Sequence, residues 1–139
     1  MNDTIWTIGY GGRQPTEFNR ILHEAGVELV ADVRISPRGA MGSYTRAKSN
    51  DRGIQKLLSE VAIGYEWLPE LGNPDRTDPR MAEFRQVIAP EFPRRCRRLV
   101  ALAEQCRACM LCGCRVAASC HRAIIGEWLQ TQGWRVIDL

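Results

Sequence analysis

No apolar run in this chain approaches the roughly 20 residues that a bilayer span requires. Met1-Asn-Asp-Thr4 also lacks the basic stretch that opens a secretory signal, so a cytoplasmic address with no membrane partner is expected. Internal repeats, low-complexity tracts and linkers are absent too, which leaves 1–139 as a single domain large enough to bury a substantial core. Histidine is scarce, with 2 residues, and the net charge is only +3. So mild a surplus permits an anionic ligand without arguing for nucleic acid. Cysteine, by contrast, is plentiful at 6 residues. In a reducing compartment those thiols are free, hold metal or do redox chemistry.

Strands and helices alternate along the chain. Thr4–Ile8 is a β-branched and aromatic strand ending at Gly9-Tyr-Gly-Gly12. A helix follows Pro15, with Thr16 as its expected cap and Phe18, Ile21, Leu22 and Ala25 on one stripe. Val27–Ile35 reads as the second strand, with Asp32 and Arg34 on the same side. The stretch 36–50 reads as a loop, 51–61 as a helix, and Tyr65–Leu68 as an edge strand stopped by Pro69. Asp78-Pro79 opens a helix that should stop before Pro90, and another after Pro93 carries Cys96, Leu99, Val100, Ala103 and Cys106 on one face. Cys109–Cys112 is an apolar strand, Ser119 the expected cap of the next helix, and Trp134–Leu139 the last strand. This alternation predicts an α/β, Rossmann-like three-layer sandwich, with a mostly parallel five-stranded sheet and helices on both faces. The order 3-2-1-4-5 fits best, with a flavodoxin-like order as the rival. A ligand crevice is then expected where the chain reverses beyond the strand ends.

The unusual chemistry sits between Met110 and Arg122, where Cys112, Cys114, Cys120, His121 and Arg122 crowd a strand end and a helix start. A helix N-terminus favours thiolates and bound anions through its free N–H groups and dipole. Cys112 or Cys120 is therefore the candidate nucleophile and His121 its base. Tyr10 and Gly11 belong to the glycine loop, which lacks the dinucleotide spacing because position 14 is Gln. It is either a tight strand-to-helix turn or a ligand-binding loop whose glycines let a ligand approach the backbone closely. Arg34, Arg38 and Arg122 are candidates to neutralise an anion through their planar forks, and Asp32 is the alternative partner for either Arg34 or Arg122. That preferred reading assigns no residue to a metal. A rival reading makes the Cys106–His121 cluster a zinc or iron–sulfur module, most simply with Cys112, Cys114, Cys120 and His121 around zinc. A third places nucleic acid on the Arg94–Arg98 helix face, although no aromatic platform accompanies it.

Several motifs in chain order resemble the DUF488 family, a domain of unknown function. They are Thr7-Ile-Gly-Tyr10, Leu29-Val-Ala-Asp-Val-Arg34 with Pro37-Arg38, Tyr65 with Leu68-Pro-Glu-Leu-Gly72, the Cys112 strand, Cys120-His-Arg122 and a closing Gly-Trp-x-Val. The resemblance covers essentially the whole chain and implies a Rossmann-like domain with a shared polar site at Arg34, Tyr65, Cys112, Cys120, His121 and Arg122. It does not imply an established reaction, and the sequence leaves the cofactor unknown. One position departs: the family typically reads Cys-x-Glu at the end of the fourth strand, where this chain has Cys114. Together these readings predict a phosphate-bearing small molecule, possibly a nucleotide, bound in the crevice with Cys/His chemistry beside it. Nucleic acid is not the expected partner, and the sequence leaves the oligomeric state open.

Overall fold

The structure, a computed structural model, describes residues 3–39 and 42–139; positions 40 and 41 of the 36–50 loop lie outside the described residues. Five parallel strands form one sheet, β1 Thr4–Gly9, β2 Leu29–Asp32, β3 Gly64–Trp67, β4 Ala108–Cys112 and β5 Arg135–Asp138. The helices are α1 Pro15–Glu24, α2 Gly53–Ser59, α3 Phe92–Arg95, α4 Arg97–Gln105 and α5 His121–Thr131. No helix among the described residues is long and apolar enough to cross a membrane.

Both faces of the sheet are covered. α1 and α2 bury Phe18, Leu22, Ile54, Leu57 and Leu58 against Trp6, Ile8, Val30, Cys109 and Leu111. On the other face, α4, α5 and the segment before them bury Phe84, Phe92, Leu99, Ile125 and Leu129 against Ile5, Ala31, Met110 and Cys112. The period-2 alternation of a strand thus sends Cys109 to one core and Cys112 to the other.

The sheet order corrects one expectation. It is β3-β2-β4-β1-β5 rather than 3-2-1-4-5, so β4 holds the centre. All five β4 residues are buried, whereas β1 begins half-buried at Thr4. Every β4 side chain meets a helix layer, and that suits it to the place with a strand on each side. β3 is the edge strand, as its exposed Gly64 and Glu66 require. β1 still adjoins β4, and their outgoing helices, α1 and α5, lie on opposite faces of the sheet. The reversal of the chain therefore falls between β1 and β4.

Local boundaries shift for identifiable reasons. β2 ends at Asp32: Val33 still donates its amide to the Leu111 carbonyl at 3.0 Å, but the Arg34 amide turns to the Asp32 carboxylate. The helix expected from Asp78 begins only at position 82, takes π-type bonding over Phe84–Ile88 and passes into a 3-10 turn at Ala89–Glu91. Pro90 and Pro93 lack the N–H groups that a continuous α-helix needs there. Asp78 nevertheless accepts the Arg80 and Ala82 amides at 2.9 Å each, as a cap does. Cys96 interrupts what read as one helix into α3 and α4. The expected caps Thr16 and Ser119 give way to Gln14 and Cys120; Ser119 instead bonds Val116 in a 3-10 turn, Ala117–Ser119.

Candidate functional site

A cavity of about 420 Å³ opens beyond the carboxyl ends of β1 and β4. The ladder sets Gly9 opposite Cys112 on one side and Asp32 opposite Leu111 on the other, so three strand ends meet at one place. Tyr10 and Arg34 form one wall of the cavity, Cys112, Cys114, Ser119, Cys120 and His121 its floor, and Asn73, Arg76, Asp78 and Met81 its outer side.

The polar groups at the end of β2 are spoken for. Nε and Nη2 of Arg34 donate to the two oxygens of Asp32 at 2.8 and 2.7 Å, and Nη1 donates to the Tyr44 carbonyl at 2.8 Å. Tyr65 gives its hydroxyl proton to Asp32 at 2.5 Å, and the Arg34 amide donates to the same carboxylate at 3.0 Å. Asp32 and Arg34 are both buried, so each neutralises the other where water cannot. The Asp32 bond holds the Arg34 guanidinium charged against its burial, and burial followed by the Asp32 charge pushes the Tyr65 phenol well up.

Arg122 is likewise consumed at both terminal nitrogens, while its buried Nε has no hydrogen-bond partner among the described residues. It is fully buried and does not line the cavity. Its Nη1 donates to Thr7 Oγ1 and to Asp138, and its Nη2 to the carbonyls of Cys114 at 2.9 Å and Arg115 at 3.2 Å. It ties β1, β5 and the 113–116 loop together. The glycine loop is bound in the same way: the amides of Tyr10 and Gly11 donate to the carbonyls of Cys112 and Gly113, at 3.1 and 3.0 Å. A Cβ on Gly9 would fall 1.6 Å from the Cys114 carbonyl oxygen, and one on Gly11 would fall 2.6 Å from that of Gly113. These glycines admit the neighbouring loop rather than a ligand. Arg38 is exposed and lies outside the cavity lining.

The floor is different. His121, in the first turn of α5, uses Nε2–H to donate to the Val33 carbonyl at 2.8 Å, which leaves the bare Nδ1 facing sulfur. Nδ1 lies 3.6 Å from Cys120 Sγ and 3.9 Å from Cys112 Sγ. The three donor atoms all fall within 4.8 Å of one another, and all three residues are buried. Phe84 packs edge-on against the imidazole at 5.2 Å and closes the apolar side. Cys114 is exposed and lines the same cavity, but its sulfur is not one of the three donors that lie within 4.8 Å of one another. The bond with Cys112 holds the Cys120 thiol below its ordinary range, against its burial. Burial opposes a charge on His121, yet its contacts with Cys112 and the Val33 carbonyl carry its pKa upward. For Cys114 the bond with Cys112, then burial, raises the thiol.

The remaining cysteines are not brought to this place. Cys109 lies in the opposite core, and burial pushes Cys96 up to about 12. Cys106 ends α4 and bonds the Leu102 carbonyl at 3.3 Å. An iron–sulfur run through Cys106, Cys109 and Cys112 therefore has no common centre. The basic face of α3 and α4 is largely neutralised: Arg94 and Arg95 pair with Glu91, and Arg98 with Glu66 and Glu70.

The outer wall of the cavity was not found from sequence. Asp78 reads only as a helix cap, and Asn73 and Arg76 sit in the stretch 71–77, whose turn residues mark it only as a loop. Its signal is Asn73, buried without an apolar side chain to explain it. Arg76 reaches the cavity with no hydrogen-bond or ionic partner among the described residues.

The family described as "Domain of unknown function DUF488" matches residues 14–129, most of the chain and nearly the whole of this site. The chain belongs to the DUF488 family. Comparison with curated proteins and with solved structures found no match. The family description assigns no reaction, so what this DUF488 site does must come from its geometry.

Proposed function

We propose that Cys112, Cys120 and His121 hold a thiophilic divalent ion of the zinc type at the floor of a small-molecule pocket. The distances from sulfur to nitrogen carry this reading. With metal–sulfur bonds of about 2.3 Å and metal–nitrogen bonds of about 2.0–2.1 Å, a tetrahedral centre sets its sulfur and nitrogen ligands about 3.6 Å apart. The observed 3.6 and 3.9 Å match that spacing, and without an ion the same contacts are thiol–imidazole hydrogen bonds. The anchoring of Nε2–H on a backbone carbonyl is the usual outer support of a metal-bound histidine. Three protein ligands leave a position toward the cavity, where an ion polarises a bound carbonyl or phosphoryl oxygen or lowers the pKa of water.

Elemental analysis of protein purified without added metal tests the proposal. About one equivalent of ion per chain, lost in Cys120→Ala, is the expected result. Less than about a tenth of an equivalent, with no uptake of added zinc, overturns it.

A second reading, a site for a phosphate-bearing small molecule, is supported by Arg76, the cavity-lining guanidinium without a partner among the described residues. Its test is a thermal-shift screen against nucleotides and phosphorylated metabolites. A stabilisation that disappears in Arg76→Ala supports that reading, and no shift with any of them counts against it.

A further inference from the structure

Cys114 is the member of the sulfur cluster that the proposed trio leaves unused. Its backbone is pinned: Arg122 Nη2 donates to its carbonyl at 2.9 Å, and Gly9 approaches that oxygen too closely to admit a Cβ. Its side chain is exposed and lines the same cavity, whereas Cys112, Cys120 and His121 are buried. Its sulfur is not among the three donors that lie within 4.8 Å of one another, but it lines the cavity beside them, two residues from Cys112. A fixed backbone with a free χ1 gives this sulfur a few discrete staggered positions rather than a continuum.

We propose that Cys114 is the fourth, displaceable ligand of the ion. It completes a three-sulfur, one-nitrogen tetrahedron in the resting protein and yields its place to a small molecule entering the cavity. This rests on the metal reading above. Three sulfurs and one nitrogen make a closed set of the structural-zinc kind. Here one of the four ligands faces solvent and the cavity, and that is the ligand an entering molecule meets. The exchange is a ligand substitution without redox change. The bond from the ion to Cys114 sulfur breaks, a donor atom of the entering molecule bonds in its place, and the released thiolate takes a proton from water. The resting pocket is thereby self-blocked, which guards an exposed Lewis acid until a molecule with a competing donor arrives.

Alkylation of the wild-type protein by iodoacetamide, mapped by mass spectrometry of peptides, tests this with and without one equivalent of zinc. In the metal-free protein Cys114 is the thiol of the cluster that iodoacetamide reaches from solvent, and its rate there is the reference. Zinc is expected to slow that modification by about tenfold or more, since a coordinated thiolate is a poorer nucleophile than a free one. Adding acetohydroxamate, a small zinc-binding molecule, is expected to restore the Cys114 rate while Cys112 and Cys120 stay protected. Protection of Cys112 and Cys120 with no change at Cys114 overturns this inference and leaves the trio standing. Protection of none of the three, with no zinc retained, overturns both. A Cys114 rate that acetohydroxamate does not restore removes the displaceable role. Independently, cobalt-loaded Cys114→Ser is expected to lose about one third of the thiolate charge-transfer absorption, one sulfur of three. An unchanged spectrum overturns the inference.

Discussion

Two polar clusters flank the end of the central strand, and they are finished differently. On the β2 side, Asp32, Arg34, Tyr44 and Tyr65 saturate one another, and each nitrogen of the Arg34 guanidinium has an acceptor inside the fold. On the α5 side, Cys112, Cys120 and His121 meet one another only through long sulfur contacts, 3.6 and 3.9 Å to Nδ1, and all three line the cavity. A saturated cluster is a structural part, because all its interaction energy is spent within the chain. An unsaturated one has capacity left for a ligand. Charge alone is therefore a poor guide to function in this protein, and unspent valence is the better one.

The comparison is broken most forcefully at the saturated groups. Asp32→Ala leaves the buried Arg34 charge without its partner, and a cost of about 3–5 kcal/mol in urea unfolding is expected. Arg122→Ala empties a fully buried site of a side chain that ties β1, β5 and the 113–116 loop, leaving half-exposed Asp138 behind. About 2–4 kcal/mol is expected there. A loss below about 1 kcal/mol for Arg122→Ala would return that residue to the ligand. Gly9→Ala touches the junction between frame and site. Its Cβ meets the Cys114 carbonyl, so about 1–3 kcal/mol is expected together with weaker zinc retention. Two thiols of one strand sharpen the contrast. Cys112→Ala and Cys109→Ala should each destabilise the metal-free chain by about 1 kcal/mol, but only the first should empty the ion site. Equal metal content in the two variants would remove Cys112 from the ligand set. The smallest effect belongs to Tyr65→Phe. The loss of one hydrogen bond to Asp32 should cost about 0.5–1.5 kcal/mol and leave metal content unchanged.

Much of this was legible in the sequence because it is local. The alternation of strands and helices, the edge position of β3 and the shared side of Asp32 and Arg34 all follow from period and turn chemistry. So does the convergence of Cys112 with Cys120 and His121, since a strand end and the next helix start are separated by one short loop. What was not legible is long-range. β1 and β4 both read as apolar runs, and periodicity cannot tell which of two such strands takes the centre. Arg122 looked available because its carboxylate partner, Asp138, lies on another strand at the far end of the sheet. The glycines at 9 and 11 had two meanings, and only the placement of the 113–115 loop selected one. Arg76 was missed because a loop has no period to read.

The Val33 carbonyl has one more consequence. A carboxylate in that place would compete for the Nε2 proton and lend the imidazole anionic character, whereas a carbonyl oxygen has no basicity to offer. His121 therefore enters any complex as a neutral donor, and sulfur alone offsets the charge of a bound dication. Two thiolates bring the sum to zero, and a third makes it negative. The electrical state of the floor would then be set by the occupant of a single coordination position, a one-charge toggle written into the choice of a backbone oxygen.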